Sequence, residues 1–88
     1  MNSVKKDPAA ILDYGFNWLS WLAGDTIQTS TWTVPTGLTK VSDSATTSTT
    51  TAWISGGTAG TDYTVVNRIV TAGGRTDERS IIFQVRER

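Results

Sequence analysis

Cysteine and histidine are both absent from the sequence. Without cysteine no disulfide can staple the fold, no thiolate can hold zinc, and nothing marks an oxidising compartment. Without histidine the commonest general base and the commonest metal ligand are missing, along with the one side chain that titrates near neutral pH. Net charge is lacking too, because eight acidic residues offset eight basic ones. The long-range attraction that a nucleic-acid binder draws on is therefore absent, and no nucleic-acid partner is expected. No apolar run approaches the roughly 20 residues needed to span a bilayer. The start, MNSVKKDPAA, has a basic pair but no apolar stretch behind it before Pro8. These features lead to the expectation of a soluble product, assembled in the cytoplasm, with no membrane partner.

What is present points to strands. Sixteen of the 88 residues are threonine, whose β-branch suits a pleat, while lysine and glutamate, which fill exposed helix faces, are few. A chain of this length forms one domain and hides only about 60 to 65 % of its unfolded surface, so its core is small. Residues 1–8, MNSVKKDP, are polar, lack an apolar period and close on proline, which predicts a short N-terminal arm ahead of a single domain over 9–88. Leu12, Tyr14, Phe16 and Trp18 then alternate strictly with polar residues, which predicts a strand; a helix would place Gly15 on its packed face. Leu19 to Leu22 breaks the alternation and predicts a turn or a single helical turn. Thr26 to Val34 reads as a second strand with a bulge near Thr29 to Thr31, because Ile27 and Trp32 differ in parity. Leu38 to Ser42 reads as a short strand, Asp43 to Ser48 as a loop or weak edge strand, and Thr49 to Ile54 as a further strand. The clearest unit follows. Tyr63, Val65, Asn67 and Ile69 alternate, as do Ile81, Phe83 and Val85, with Gly73-Gly74 between them: a β-hairpin over a core. Six to seven short strands at this spacing describe an all-β, immunoglobulin-like antiparallel β-sandwich, with Tyr63 placed to anchor its hydroxyl to nearby backbone.

Chemistry is hard to place on this pattern. The glycine-rich segment Gly56 to Thr61 leads into a β-branched strand, not a helix, and no lysine occurs beyond Lys40, so it is a turn and not a phosphate cradle. Asp13, Asp25, Asp43, Asp62, Asp77 and Glu78 lie beside turns or on polar strand positions, and no two are paired across an apolar pocket. Serines and threonines have no histidine to activate them. The expectation is a protein that is not an enzyme, with no cofactor, metal site or small-molecule substrate. Trp18 and Trp32 have core parity, and burying each removes about 150 to 250 Å² from water. Trp21 and Trp53 are candidates for contact instead. The run Arg75 to Arg79 gathers four charges of alternating sign at the expected hairpin tip, where a solvated tip and an assembly contact are equally natural readings. With the arm, this gives the candidate protein-contact residues Lys5, Lys6, Asp7, Trp21, Arg75, Asp77, Glu78 and Arg79.

The segments DPAAILDYGFNWLSWLAGDTI, STWTVPTGLT, WISGGTAGTDYTV and NRIVTAGGRTDERSIIFQVRE occur in this order across nearly the whole chain. Together they resemble the small immunoglobulin-like structural proteins of tailed bacteriophages, of the fibre-tail or neck adaptor type. The resemblance rests most on Asp7-Pro8, Leu12-Asp13-Tyr14, Trp18, Gly24 to Ile27, Ser55 to Thr58 and Arg75 to Arg79. Asn17 stands where the family pattern would have an acidic residue. The resemblance implies a non-enzymatic virion component, assembled in the bacterial host in many symmetric copies. Its partners would be other phage structural proteins of the neck, tail, fibre or capsid. A capsid decoration protein is the alternative within that class. A carbohydrate-binding surface module using Trp21 or Trp53 is the alternative outside it.

Overall fold

The computed structural model describes residues 2–87. Seven strands form two layers: β1 (Asn2–Lys6), β2 (Leu12–Asn17), β3 (Ile27–Thr33), β4 (Leu38–Ala45), β5 (Thr49–Gly56), β6 (Asp62–Thr71) and β7 (Thr76–Val85), with one helical turn, α1 (Leu19–Leu22), between β2 and β3. One sheet has the order β1-β7-β6-β3 and the other β2-β5-β4. The expected β-sandwich is therefore present.

Alternation explains which residues meet between the layers. On β6 the buried positions are Val65, Asn67, Ile69 and Thr71, and on β7 they are Ile81, Phe83 and Val85. β5 contributes Thr50, Ala52 and Ile54, which leaves Trp53 pointing outward. Trp18 and Trp32 are buried as expected, Trp32 stacked on Phe16 with ring centroids 5.7 Å apart.

A polar network crosses this core. The Trp18 indole N–H is shared between Thr50 Oγ1 at 3.1 Å and Asn67 Oδ1 at 3.3 Å, and the Thr50 hydroxyl donates to Asn67 Oδ1 at 2.6 Å. The Asn67 amide donates in turn to Ser30 Oγ and to the Thr31 carbonyl. One asparagine thus joins β6 to β5 in the facing sheet and to β3 in its own, with donors and acceptors both used.

Three expectations change, and one left open is decided. Residues 2–6 of the expected arm form β1, which pairs parallel with β7 from Asn2↔Ile81 to Lys6↔Val85, so the sandwich is not wholly antiparallel; Met1 lies outside the described residues. The charged run from Thr76 to Arg79 is the start of β7, paired with β6 from Val70↔Thr76 to Asn67↔Arg79, and not a hairpin tip. The turn holds only Ala72 to Arg75, closed by the Thr71 N–H donating to the Arg75 carbonyl. Of the loop or weak edge strand expected from Asp43, the edge strand is present as far as Ala45, as the end of β4, and the bulge of β3 falls between Ile27 and Thr29 and not at Thr29 to Thr31. The Tyr63 anchor is present: its hydroxyl accepts the Thr58 N–H at 3.0 Å, and its ring lies against Gly37, where a Cβ would come within 2.7 Å.

Asn67→Ala removes the centre of the polar network and leaves buried donors on β5 and in the Trp18 indole short of acceptors. We expect a loss of about 2 to 4 kcal/mol in urea unfolding. A loss below about 1 kcal/mol would show that the network does not stabilise the fold.

Candidate functional site

The eight candidate contact residues fall into two groups at opposite ends of β7. Lys5 pairs with Gln84 near its end, and Arg75 directly precedes its start. Nine residues of extended chain place these ends about 30 Å apart. The structure does not gather the candidates into one patch.

At the first end, Lys5 is exposed, but Lys6 is buried. Its ammonium donates to the Gly56 carbonyl at 2.7 Å and to the Asp7 carbonyl at 3.0 Å, so it ties β1 to β5 in the other sheet. Burial pulls its pKa below the ordinary lysine value, and the neighbouring Asp7 charge opposes that shift. Lys6 is therefore a residue of the fold and not of a free surface. Asp7 accepts the Ala9 N–H through Oδ1 at 2.8 Å and the Ala10 N–H through its carbonyl at 3.0 Å, which fixes the turn around Pro8. A cavity of about 410 Å³ lies here, lined by Lys5, Lys6, Arg86 and Glu87.

At the second end, the arginines turn back onto the domain. Arg75 lies over the Trp21 ring at 4.4 Å, donates to the Leu22 carbonyl at 2.5 Å, and reaches Asp25 Oδ2 at 3.3 Å. Arg79 has the inward parity of β7. Its guanidinium covers the Trp18 ring at 4.1 Å and donates to the Asn17 carbonyl at 3.1 Å. Arg79 is accommodated facing inward because its guanidinium lies on the Trp18 ring and finds the Asn17 carbonyl. Trp21, half-buried under Arg75, is a clamp partner more than a free platform. Asp77 is half-buried and accepts the Glu78 N–H, whereas Glu78 is exposed on the outer face of the sheet.

Sequence reasoning missed the residue that organises this end. Asp25 Oδ1 accepts the N–H groups of Thr26 at 2.8 Å and Gly73 at 3.1 Å while Oδ2 meets Arg75, so it joins the end of α1 to the β6–β7 turn. The Thr71 hydroxyl first, then the Thr26 amide, hold its carboxyl below the usual carboxylate range. A Gly-Asp-Thr step after a helical turn was the available signal. The sequence marked Trp53 for contact but not the surface around it, the outer face of β2-β5-β4. There Trp53, 44 % exposed, stands between its cross-strand neighbours Asp13 and Ser42, with the exposed Val41 in the β4 bulge beside it.

Over residues 6–84 the sequence matches the family described as "Podophage GP4 fiber-tail adaptor protein gp77". The chain belongs to this family. No curated protein matches it. The expected phage adaptor resemblance is thereby established, and the adaptor is a structural component of the virion that works through contacts with other phage structural proteins. Among the described residues, no helix is long and apolar enough to cross a membrane.

The Asp25 clamp has a pH signature. A carboxyl whose folded pKa is lowered contributes stability that is fully present above its unfolded pKa, near 3.9, and is lost as pH falls through the folded value. Melting temperature followed from pH 6 downward should fall less steeply below about pH 4 for Asp25→Asn than for the parent chain. The variant should also be less stable at neutral pH. Parallel profiles for the two proteins would remove the clamp from the account.

Proposed function

We propose that the protein is a non-enzymatic adaptor that joins tail and fibre in a podophage particle, present in symmetric copies and assembled in the host cytoplasm. The family match over most of the chain carries this reading. We also read the sandwich as immunoglobulin-like. The orders β2-β5-β4 and β7-β6-β3 follow those of strands B-E-D and G-F-C in a constant-type domain, and the first strand lies beside the last.

The charges that remain available for contacts are few. Arg75 and Arg79 are held by Asp25, Trp21 and Trp18, so they position a surface more than they offer one. Lys5 and Glu78 project from the outer face of the four-stranded sheet, where Arg68 is exposed beside Glu78 as its cross-strand partner. This face is the candidate partner surface. Several copies in a ring would add such modest contacts into firm attachment.

Two experiments test this. Particles made without this protein should carry intact heads and tails but no fibres; fragile heads with fibres in place would favour capsid decoration instead. The double charge reversal Lys5→Glu with Glu78→Lys should leave the melting temperature of the isolated domain within a few degrees of the parent. It should also lower the number of copies retained on purified particles, as read by quantitative electrophoresis. Full retention would move the partner surface elsewhere.

A further inference from the structure

The two sheets have four edge strands, and three of them carry features that discourage pairing with another chain. β1 is short and ends in Lys5 and Lys6. β3 is broken by a bulge between Ile27 and Thr29. β4 is bulged between Lys40 and Ser42, and its inward positions Lys40 and Asp43 form an ion pair at 2.9 Å. β2 has none of these devices. Its six residues pair with β5 without a register shift, from Leu12↔Ile54 to Asn17↔Thr49, and include no proline, lysine or arginine. Among the described residues, no hydrogen bond outside the ladder reaches Leu12 to Phe16; at Asn17 the carbonyl accepts from Arg79 and Oδ1 from the Leu19 N–H. Among the described residues the place beside β2 is open, since β1 pairs with β7 in the other sheet.

We infer that β2 is a self-pairing edge, on which a second copy of this chain adds its own β2 antiparallel about Tyr14, making one continuous sheet across a two-fold axis. Side-chain parity limits the register. Inward residues must face inward residues, so only pairings about a residue, and not between two residues, are allowed. Pairing about Asp13 would oppose two carboxylates. Pairing about Gly15 would leave Leu12 without an opposite residue in β2. Pairing about Tyr14 sets Leu12 against Phe16 and Tyr14 against its own copy on the inner face. On the outer face it sets Asp13 against Gly15 and Ile11 against Asn17.

The surface is complementary to this arrangement. Leu12 and Tyr14 are only half-buried, while Ala52 and Ile54, their partners on β5, are fully buried, so the inner side of the edge has apolar area left to cover. On the outer side, Gly15 leaves a shallow depression of about 300 Å³ bordered by Thr49, Thr51 and Asn17. Asp13 of the second copy would lie over that depression, among hydroxyl and amide groups and with no like charge opposite. Gly15 itself is required by the fold, since a Cβ there would meet the Thr50 carbonyl at 2.7 Å. The inference is independent of the adaptor reading, because a monomer can attach fibres and a dimer can fail to.

The absence of native cysteine makes the test direct. Ile11→Cys and Asn17→Cys are prepared separately, mixed, and mildly oxidised. Directly opposite strand residues lie within disulfide reach, whereas positions 11 and 11, or 17 and 17, of the two copies would be about 20 Å apart. The mixture should give a cross-linked dimer on non-reducing gels, and each variant alone should not. Light scattering of the parent chain should give twice the monomer mass, and Tyr14→Lys, which opposes two ammonium groups on the axis, should return a folded monomer. A parent that stays monomeric, equal cross-linking of the single variants, or a folded Tyr14→Lys that remains dimeric would each overturn the inference.

Discussion

The buried hydrogen bonds of Asn67 constrain this fold more than any other feature. Apolar contact holds two sheets together without direction, and a core this small tolerates sliding of one layer over the other. Hydrogen bonds have direction. Because Asn67 Oδ1 accepts from Thr50 and Trp18 while its amide donates to Ser30 and Thr31, only one relative placement of β5, β6 and β3 satisfies every group. Any other placement leaves polar atoms unpaired in a low dielectric, where each costs about 1 to 3 kcal/mol. In a chain without cysteine, this network supplies the cross-layer specification that a disulfide would otherwise provide.

Two further polar ties fix the ends. Lys6 carries its charge into the interior to reach the Gly56 carbonyl, which holds the first strand against the opposite sheet. Asp25 and Arg75 do the same for α1 and the β6–β7 turn. These ties consume charge. Of the eight residues singled out for contact, Lys6, Arg75 and Arg79 have their charged groups directed to the domain itself. A net charge of zero therefore understates how little free charge the surface presents. The outer face of β2-β5-β4 presents threonine and serine hydroxyls around the exposed Trp53 and Val41.

Much of this was legible in the sequence because alternation and burial coincide. Tyr14, Phe16, Trp18, Val65, Ile69, Ile81 and Phe83 announce their faces, and the fold class follows from them. Where the two part company, reading by pattern fails. NSVKK has no apolar period to announce β1 as a strand, and its partner, β7, lies at the other end of the chain. The start of β7 does not read as a strand because its first inward residues, Asp77 and Arg79, are charged, and Arg79 is accommodated only by the Trp18 ring and the Asn17 carbonyl. The length of β4 is hidden because Lys40 and Asp43 occupy inward positions that the opposite sheet does not cover. At the candidate site, charge type and chain position were visible, but the direction in which an arginine folds back was not. That direction depends on Trp18, Trp21 and Asp25, which lie about 50 to 60 residues away in sequence and meet the arginines only in the finished fold.

Rigidity and exposed backbone are connected in this molecule. Binding ordinarily loses free energy to the ordering of loops and side chains, so a small contact holds only when its residues are already fixed. The three polar ties fix the layers at both ends and at the middle, and the edge strands inherit that order. An ordered, unprotected edge is a hazard in a free monomer, because its unpaired backbone groups are a template for other chains. Bulges on β3 and β4 and lysines on β1 show that this sequence pays for protection where it can. The bare edge of β2 is the exception. It sits in a family built for attachment, where a strand able to take a partner is useful and not merely tolerated.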